Sequence, residues 1–339
     1  MTRIEKLCAR GITRTGSPKK GFRYRLADGK RPNRADLVRI YDLKIPPAWT
    51  DVCINSNAGG AVQAVGKDQA GRWQYLYHQK HVRRSEKKKF ERLIEFAESL
   101  PALRRTVIKD LRQPGLSRER VMAGIMRILS SSFIRPGSQV YASENGSYGI
   151  ATLRPRHVKV KGDTVIFDFP GKSGVKQHRE LRDRRVAKLI RELLRHSARE
   201  VFAYRNGGDQ LVDVKRRHIN QYIKEVMGHN FSAKDFRTWA GTLICACALA
   251  RAAEDLNGHK AMRKRKWAAA LKETAAALGN TPAVCRKSYV CPVLWTKFEK
   301  GVAIDRCFRN VGDVINYRGT ALHTAEKALL KFLKREATS

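Results

Sequence analysis

The chain has 339 residues, 42% of them hydrophobic, and a formal net charge of +38 from 69 Lys+Arg against 31 Asp+Glu. That length and apolar content exclude a disordered basic tail and leave room for two packed domains. The charge excess points to a polyanionic partner, most simply nucleic acid; without an apolar run of about 18 residues or a signal peptide, no membrane role is expected.

Residues 1–30 are basic and broken by glycines, with an aromatic pair in Phe22 and Tyr24. Residues 37–45 read as a short helix or strand ahead of Pro46-Pro47. Strands are predicted at 51–54, 61–65 and 72–77, separated by turn-forming residues at 57–60 and 66–71. In the last strand Tyr75 and Tyr77 share one face and Gln74 lies on the other. A charged link covers 78–89, and helical spacing follows at 90–100, 103–111 and 117–131, the last capped by Ser117.

Residues 133–149 are polar and turn-rich. Short strands are predicted at 150–153, 157–161 and 164–169, then a Gly-flanked loop at 171–174 and a fourth strand at 175–180. Helices are expected at 184–196 and 214–227. Ser232 to Asp235 resembles a capping box that opens a helix carrying Arg237. The next helix stops at Gly279, and Thr281-Pro282 starts another, with Thr281 as N-cap and proline at the first helical position. Helical signals return at 321–334. The expected fold class is α+β: a small β-rich domain over 1–84, a larger mainly helical domain with a short sheet over 85–300, and a helical tail over 301–339.

The seven cysteines form no disulfide framework, and no CxxC occurs. Cys245 and Cys247 point to different faces of one helix, so buried thiols in a reducing compartment are expected and no metal site.

A phenol with a pKa near ~10 is a poor nucleophile, but nearby cations favour the phenolate. Tyr289 follows Arg286 and Lys287 within two turns of the helix start at Pro282, and is the candidate nucleophile. Phosphoryl transfer would also need cations for the non-bridging oxygens and an acid for the leaving alkoxide. Arg135 just past a helix, Arg237 near a helix N-terminus, Lys172 in its loop and the amide of Asn280 are suitable types. Spacing alone leaves other readings open. Either arginine could be a DNA-backbone contact, Lys172 a solvated charge, Asn280 a turn residue and Tyr289 half-buried packing.

Six segments in one order resemble the type IB DNA topoisomerases of the compact bacterial and poxvirus-like kind. They are KIPPAWTDVCI at 44–54, AVGKDQAGRWQYLYH at 64–78, RPGSQVYASENGSYGIATLR at 135–154, FPGKSGVKQH at 169–178, AKDFRTWAGT at 233–242 and LGNTPAVCRKSY at 278–289. The resemblance implies that two domains clamp duplex DNA and relax its supercoils by single-strand cleavage, strand rotation and religation. It makes Tyr289 the nucleophile of a 3′-phosphotyrosyl intermediate, Arg135 and Arg237 the stabilisers of the transition state, and Lys172 the acid for the leaving 5′-oxygen. Asn280 stands where poxvirus-type enzymes carry histidine; an amide donates a hydrogen bond but is no acid. Gln74, Tyr75 and Tyr77, with Lys67 and Lys234, would contact DNA, although core packing is the alternative for the tyrosine pair.

The resemblance further implies a monomer in the cytoplasm, at the nucleoid, that needs no ATP, metal or other cofactor. Gly171-Lys172-Ser173 indeed lacks the upstream glycine of a P-loop. A tyrosine recombinase shares the chemistry, but Lys234-Asp235-Phe236-Arg237 stands where recombinases usually have His-x-x-Arg. A non-catalytic architectural DNA-binding protein would need none of these residues in register.

Overall fold

The computed structural model describes residues 1–196, 199–228, 231–253 and 260–337. The chain divides into two compact units, Met1–Lys89 and Phe90–Ser339.

The first unit opens with helix α1 (Arg3–Arg10), capped by Thr2 and Glu5, each of which bonds the other's amide. Strands β1 (Ile12–Ser17) and β2 (Gly21–Arg25) form a hairpin, and helix α2 (Arg34–Asp42) follows. Strands β3 (Thr50–Ile54), β4 (Val62–Lys67) and β5 (Trp73–Tyr77) complete an antiparallel sheet of order β2-β1-β3-β4-β5. Its core is Ile12, Ile40, Ile45, Val52, Ile54 and Ala64. Residues 1–30 therefore hold more regular structure than their glycines and charges indicate. β2 is GFRYR with no fully buried position, which hides its strand character.

Cys8 and Cys53 form a disulfide that joins α1 to β3. This corrects the expectation of thiols at those two positions: they are 45 residues apart, and only the folded sheet brings them together. The other cysteines are thiols, buried at Cys245, Cys247, Cys285 and Cys291.

Helix α3 (Gln79–Asp110) replaces the predicted link and two separate helices, and it contains Pro101. An internal proline costs about 3 kcal/mol. Phe96, Leu100, Leu103 and Val107 are buried on either side of it, each stabilising by roughly 1.5–3 kcal/mol, so packing wins.

The second unit continues with α4 (Arg118–Ser132), whose N-cap Ser117 accepts from the Arg120 amide, and the short helix α5 (Gln139–Asn145). Strands β6 (Val158–Lys161), β7 (Thr164–Pro170) and β8 (Lys176–Arg182) form an antiparallel sheet in that order. Helix α6 (Arg184–His196), the hairpin β9 (Ala203–Arg205) and β10 (Leu211–Asp213), and helix α7 (Arg216–Met227) come next. Helices α8 (Ala233–Ala253), α9 (Lys260–Leu278), α10 (Pro282–Ser288), α11 (Val293–Phe298), α12 (Val311–Asn316) and α13 (Thr324–Ala337) complete it.

Helix α8 is buried continuously from Phe236 to Leu249, as befits the central helix of a core. Helix α13 packs in the same core through Leu329 and Leu333, and the carboxylate of its buried Glu326 takes both ends of the Arg104 guanidinium at 2.7 and 2.9 Å. The strand predicted at 150–153 is instead a single 3-10 turn, Ile150–Thr152, because the amides of Ile150 and Ala151 donate to the carbonyls of Arg135 and Pro136 at 2.8 and 3.0 Å. The mixed helix-and-sheet class is as expected. No helix among the described residues is long and apolar enough to cross a membrane.

Candidate active site

Arg237 is the organising side chain. It projects from the first turns of α8 and is only 2% exposed. One terminal nitrogen donates to the Phe133 carbonyl and the other to the Leu278 carbonyl, the latter at 2.9 Å. Phe133 ends α4 in the left-handed region (φ 55°), which is uncommon for a bulky residue and turns its carbonyl out of the helix. Charge-assisted bonds contribute roughly 1.5–3 kcal/mol each, and removing a guanidinium from water costs several. The two carbonyls offset much of that cost while leaving the positive charge without a counter-ion.

The segments beyond those two carbonyls carry the next pair. Gly279 (φ 60°) terminates α9; its amide donates to Ala276 and that of Asn280 to Ala275, which is the Schellman pattern of a glycine stop. Thr281 then caps α10 by accepting from the Val284 amide, with Pro282 at the first position as expected. The turn places the Asn280 side chain against Arg135, whose guanidinium donates to the amide oxygen. Arg135 is fixed by its own backbone, because Gly149 lies against it so closely that an added Cβ would stand 2.5 Å from the Arg135 carbonyl. The Asn280 Nδ2 and the Arg237 Nε are buried without an acceptor among the described residues. Two unused donors beside two uncompensated cations form an anion site.

Tyr289 follows α10 and is half-buried, with the Arg237 guanidinium 4.9 Å from its ring centroid. Its carbonyl accepts from the Thr242 hydroxyl at 3.1 Å, and that hydroxyl takes the Cys291 amide at 3.3 Å. Gly241 permits the approach: a Cβ there would lie 2.8 Å from the Tyr289 carbonyl oxygen. Burial alone would raise the phenol's pKa. The charge of Arg237 and its hydrogen bond to the phenol, with the charges of Arg135 and Lys234 adding to them, outweigh burial and hold Tyr289 below the ordinary tyrosine value.

Arg135, Arg237, Asn280 and Tyr289 are thus brought together, and exposed Lys234 acts on the phenol through its charge. Lys172 is not brought in by a contact. It sits exposed in the turn Lys172–Gly174 at the β7–β8 tip, with no hydrogen bond or ion pair among the described residues. Ser232 and Asp235 make half of the expected capping box: the Asp235 carboxylate takes both the amide and the hydroxyl of Ser232 at 2.9 Å.

In the first unit Tyr75 and Tyr77 are 42% and 47% exposed, with stacked rings 6.1 Å apart, so core packing is excluded for this pair. Gln74 donates to Asp68 at 2.9 Å, and Lys67 pairs with Asp51 at 2.8 Å. Among the described residues no cluster of His, Cys, Asp and Glu could hold a metal ion.

Sequence reading missed Gly241 and Thr242, which fix the position of Tyr289. A glycine inside an apolar helix costs about 1 kcal/mol relative to alanine, and that cost was the available signal of a close approach. Thr242 gave no signal, because its partner is a backbone carbonyl 47 residues away.

Residues 78–300 match the family model described as eukaryotic DNA topoisomerase I, catalytic core, and residues 21–68 that of the bacterial DNA topoisomerase IB N-terminal domain. The chain is 34% identical over 295 residues to the DNA topoisomerase 1B of Acanthamoeba polyphaga mimivirus, covering 86% of this chain and 88% of that one. It is 23% identical over 260 residues to the DNA topoisomerase 1B of Vaccinia virus (strain Copenhagen), covering 75% and 79%. A shorter match, 28% over 130 residues, joins 36% of this chain to 12% of DNA topoisomerase 1 of Drosophila melanogaster.

Proposed function

The chain belongs to the type IB DNA topoisomerase family, and from that membership we propose how its residues divide the reaction. It is an isomerase that relaxes supercoiled double-stranded DNA without ATP, by transient single-strand cleavage through a 3′-phosphotyrosyl intermediate, strand rotation and religation. The recombinase and architectural readings are not favoured.

Tyr289 is the nucleophile in our assignment. Its oxygen attacks the scissile phosphorus, the bond to the 5′-oxygen breaks, and the phosphate remains joined to the tyrosine and the 3′-oxygen. Arg135 and Arg237 carry the charge of the non-bridging oxygens, and the Asn280 Nδ2 donates to one of them. Lys172 gives the leaving 5′-oxygen its proton. This requires the β7–β8 tip to reach that oxygen when DNA binds. Religation retraces the path, with the 5′-hydroxyl attacking the phosphotyrosine. The observation that carries the assignment is the buried, carbonyl-held Arg237 against the Tyr289 ring.

Gln74, Tyr75 and Tyr77 read DNA from the first unit in this proposal, and Lys67 and Lys234 contact its backbone. The domain assignment is a DNA-clamp domain over 1–84, a catalytic domain over 85–300 and a tail over 301–339, with the first two closing round the duplex. We assign a monomer acting on the nucleoid.

Incubation with supercoiled plasmid in EDTA, quenched with SDS, should yield relaxed topoisomers from both supercoil signs and a protein adduct on the 3′ end. Tyr289→Phe should abolish the adduct. An adduct that survives this substitution would overturn the nucleophile assignment.

A further inference from the structure

Strand β8 alternates along its length. Gln177, Arg179 and Leu181 face inward, and Lys176, His178, Glu180 and Arg182 are exposed. The inward row pairs across the sheet with Phe169, Phe167 and Val165, all buried. Arg179 therefore occupies a position that the pattern reserves for an apolar side chain. The hairpin's own carboxylates, Asp168 and Glu180, are engaged on the outer face by His178, at 2.6 and 3.3 Å.

Arg179 has no ion pair among the described residues. Its terminal nitrogens donate to the His178 carbonyl at 3.0 Å and the Gln177 amide oxygen at 3.3 Å, and its Nε is buried without an acceptor. The guanidinium lies against the turn that presents Asn280: a Cβ added to Gly279 would stand 2.8 Å from an Arg179 nitrogen. Arg135 bonds Asn280, the next residue of that turn, so the two guanidiniums flank one turn; burial, and then the charge of Arg135, lower the Arg179 pKa. A half-buried guanidinium beside a second cation, without a carboxylate, is unfavourable until an anion arrives.

We propose that Arg179 is a third phosphate-binding guanidinium of this site, meeting a backbone phosphate of the cleaved strand on the Arg135–Asn280 side. The proposal rests on the assignment of this pocket to DNA cleavage. It also gives the β7–β8 hairpin a reason to close: an arginine on the strand and Lys172 at the tip are then drawn to the same strand of DNA.

The test is single-turnover cleavage of a short duplex by the full chain, comparing the native protein with R179A, R179M and R179K. Loss of one charge-assisted donor should slow cleavage roughly 10- to 100-fold in R179A and R179M, with partial recovery in R179K. Uncharged methylphosphonates are then placed one at a time at the scissile position and its two neighbours. The R179M deficit should disappear at the one position whose charge Arg179 meets. If R179M cleaves within about twofold of native, or its deficit is equal at every position, the arginine is packing and the proposal fails. A native chain that forms no adduct at Tyr289 would remove the proposed function itself, an outcome distinct from native cleavage with silent Arg179 variants.

Discussion

Two groups of buried and half-buried arginines in the second unit differ in what compensates them. Arg104 is held at both ends by the Glu326 carboxylate of α13, and between α4 and α6 Arg120 meets Glu192 at 2.7 Å. At the candidate active site no carboxylate among the described residues pairs with these cations: Arg237 has two carbonyls and the Tyr289 phenol, Arg135 an amide oxygen, and the neighbouring Arg179 a carbonyl and an amide oxygen. The difference is net charge: a carboxylate cancels it and leaves a strut, whereas neutral oxygens hold the cation in place and leave its field available to a phosphate.

The largest effect should come from Arg237→Gln. Loss of a preorganised donor to the transition-state charge should lower single-turnover cleavage by about 100- to 1000-fold. Lysine at that position keeps a charge but cannot reach both carbonyls, so it should restore only part. The complementary substitution is Glu326→Leu, which takes the carboxylate from Arg104 and leaves it the Ala321 carbonyl and the Tyr317 ring. Removing one partner of a buried pair costs about 3–5 kcal/mol, so the urea midpoint should fall while the folded fraction still cleaves. If the Glu326 variant lost chemistry without losing stability, the contrast between the two groups would collapse. The smallest effect concerns pH. Lys234 helps hold the Tyr289 phenol below its ordinary pKa, so Lys234→Gln destabilises the phenolate and raises that pKa. The rising limb of the cleavage pH profile should move to higher pH, and further still in Arg237→Gln; a shift to lower pH would contradict the electrostatic account.

Local signals in the sequence were reliable where local chemistry decides the outcome. Ser117, Thr281, Pro282 and Gly279 read correctly as caps and stops because each acts within a few residues: Ser117 and Thr281 accept nearby amides, Pro282 has a fixed φ and no amide hydrogen to satisfy, and Gly279 takes the left-handed turn. Pro101 and the 150–153 segment misled for the opposite reason. Phe96, Leu100, Leu103 and Val107 carry α3 through its proline by packing into a core that the rest of the second unit supplies, and the amides of Ile150 and Ala151 are taken by carbonyls 15 residues earlier in the chain. At the site, the resemblance singled out Tyr289, Arg135, Arg237 and Asn280, but residue types alone could not bring them together. Arg179 was hidden because its inward orientation becomes visible only once the β7–β8 register is known.

The carbonyl bonds of Arg237 also bear on when the site comes into being. They span 104 residues in one direction and 41 in the other, and the tyrosine lies later still. A chain made from its N-terminus therefore has Arg135, Lys172 and Arg237 well before Tyr289, the proposed nucleophile. Until Leu278 is in place, Arg237 lacks one of its two anchors. In the proposed mechanism the nucleophile is therefore made after Arg135, Lys172 and Arg237, and next to Asn280, so the cations meant for the phosphate precede the group meant to attack it.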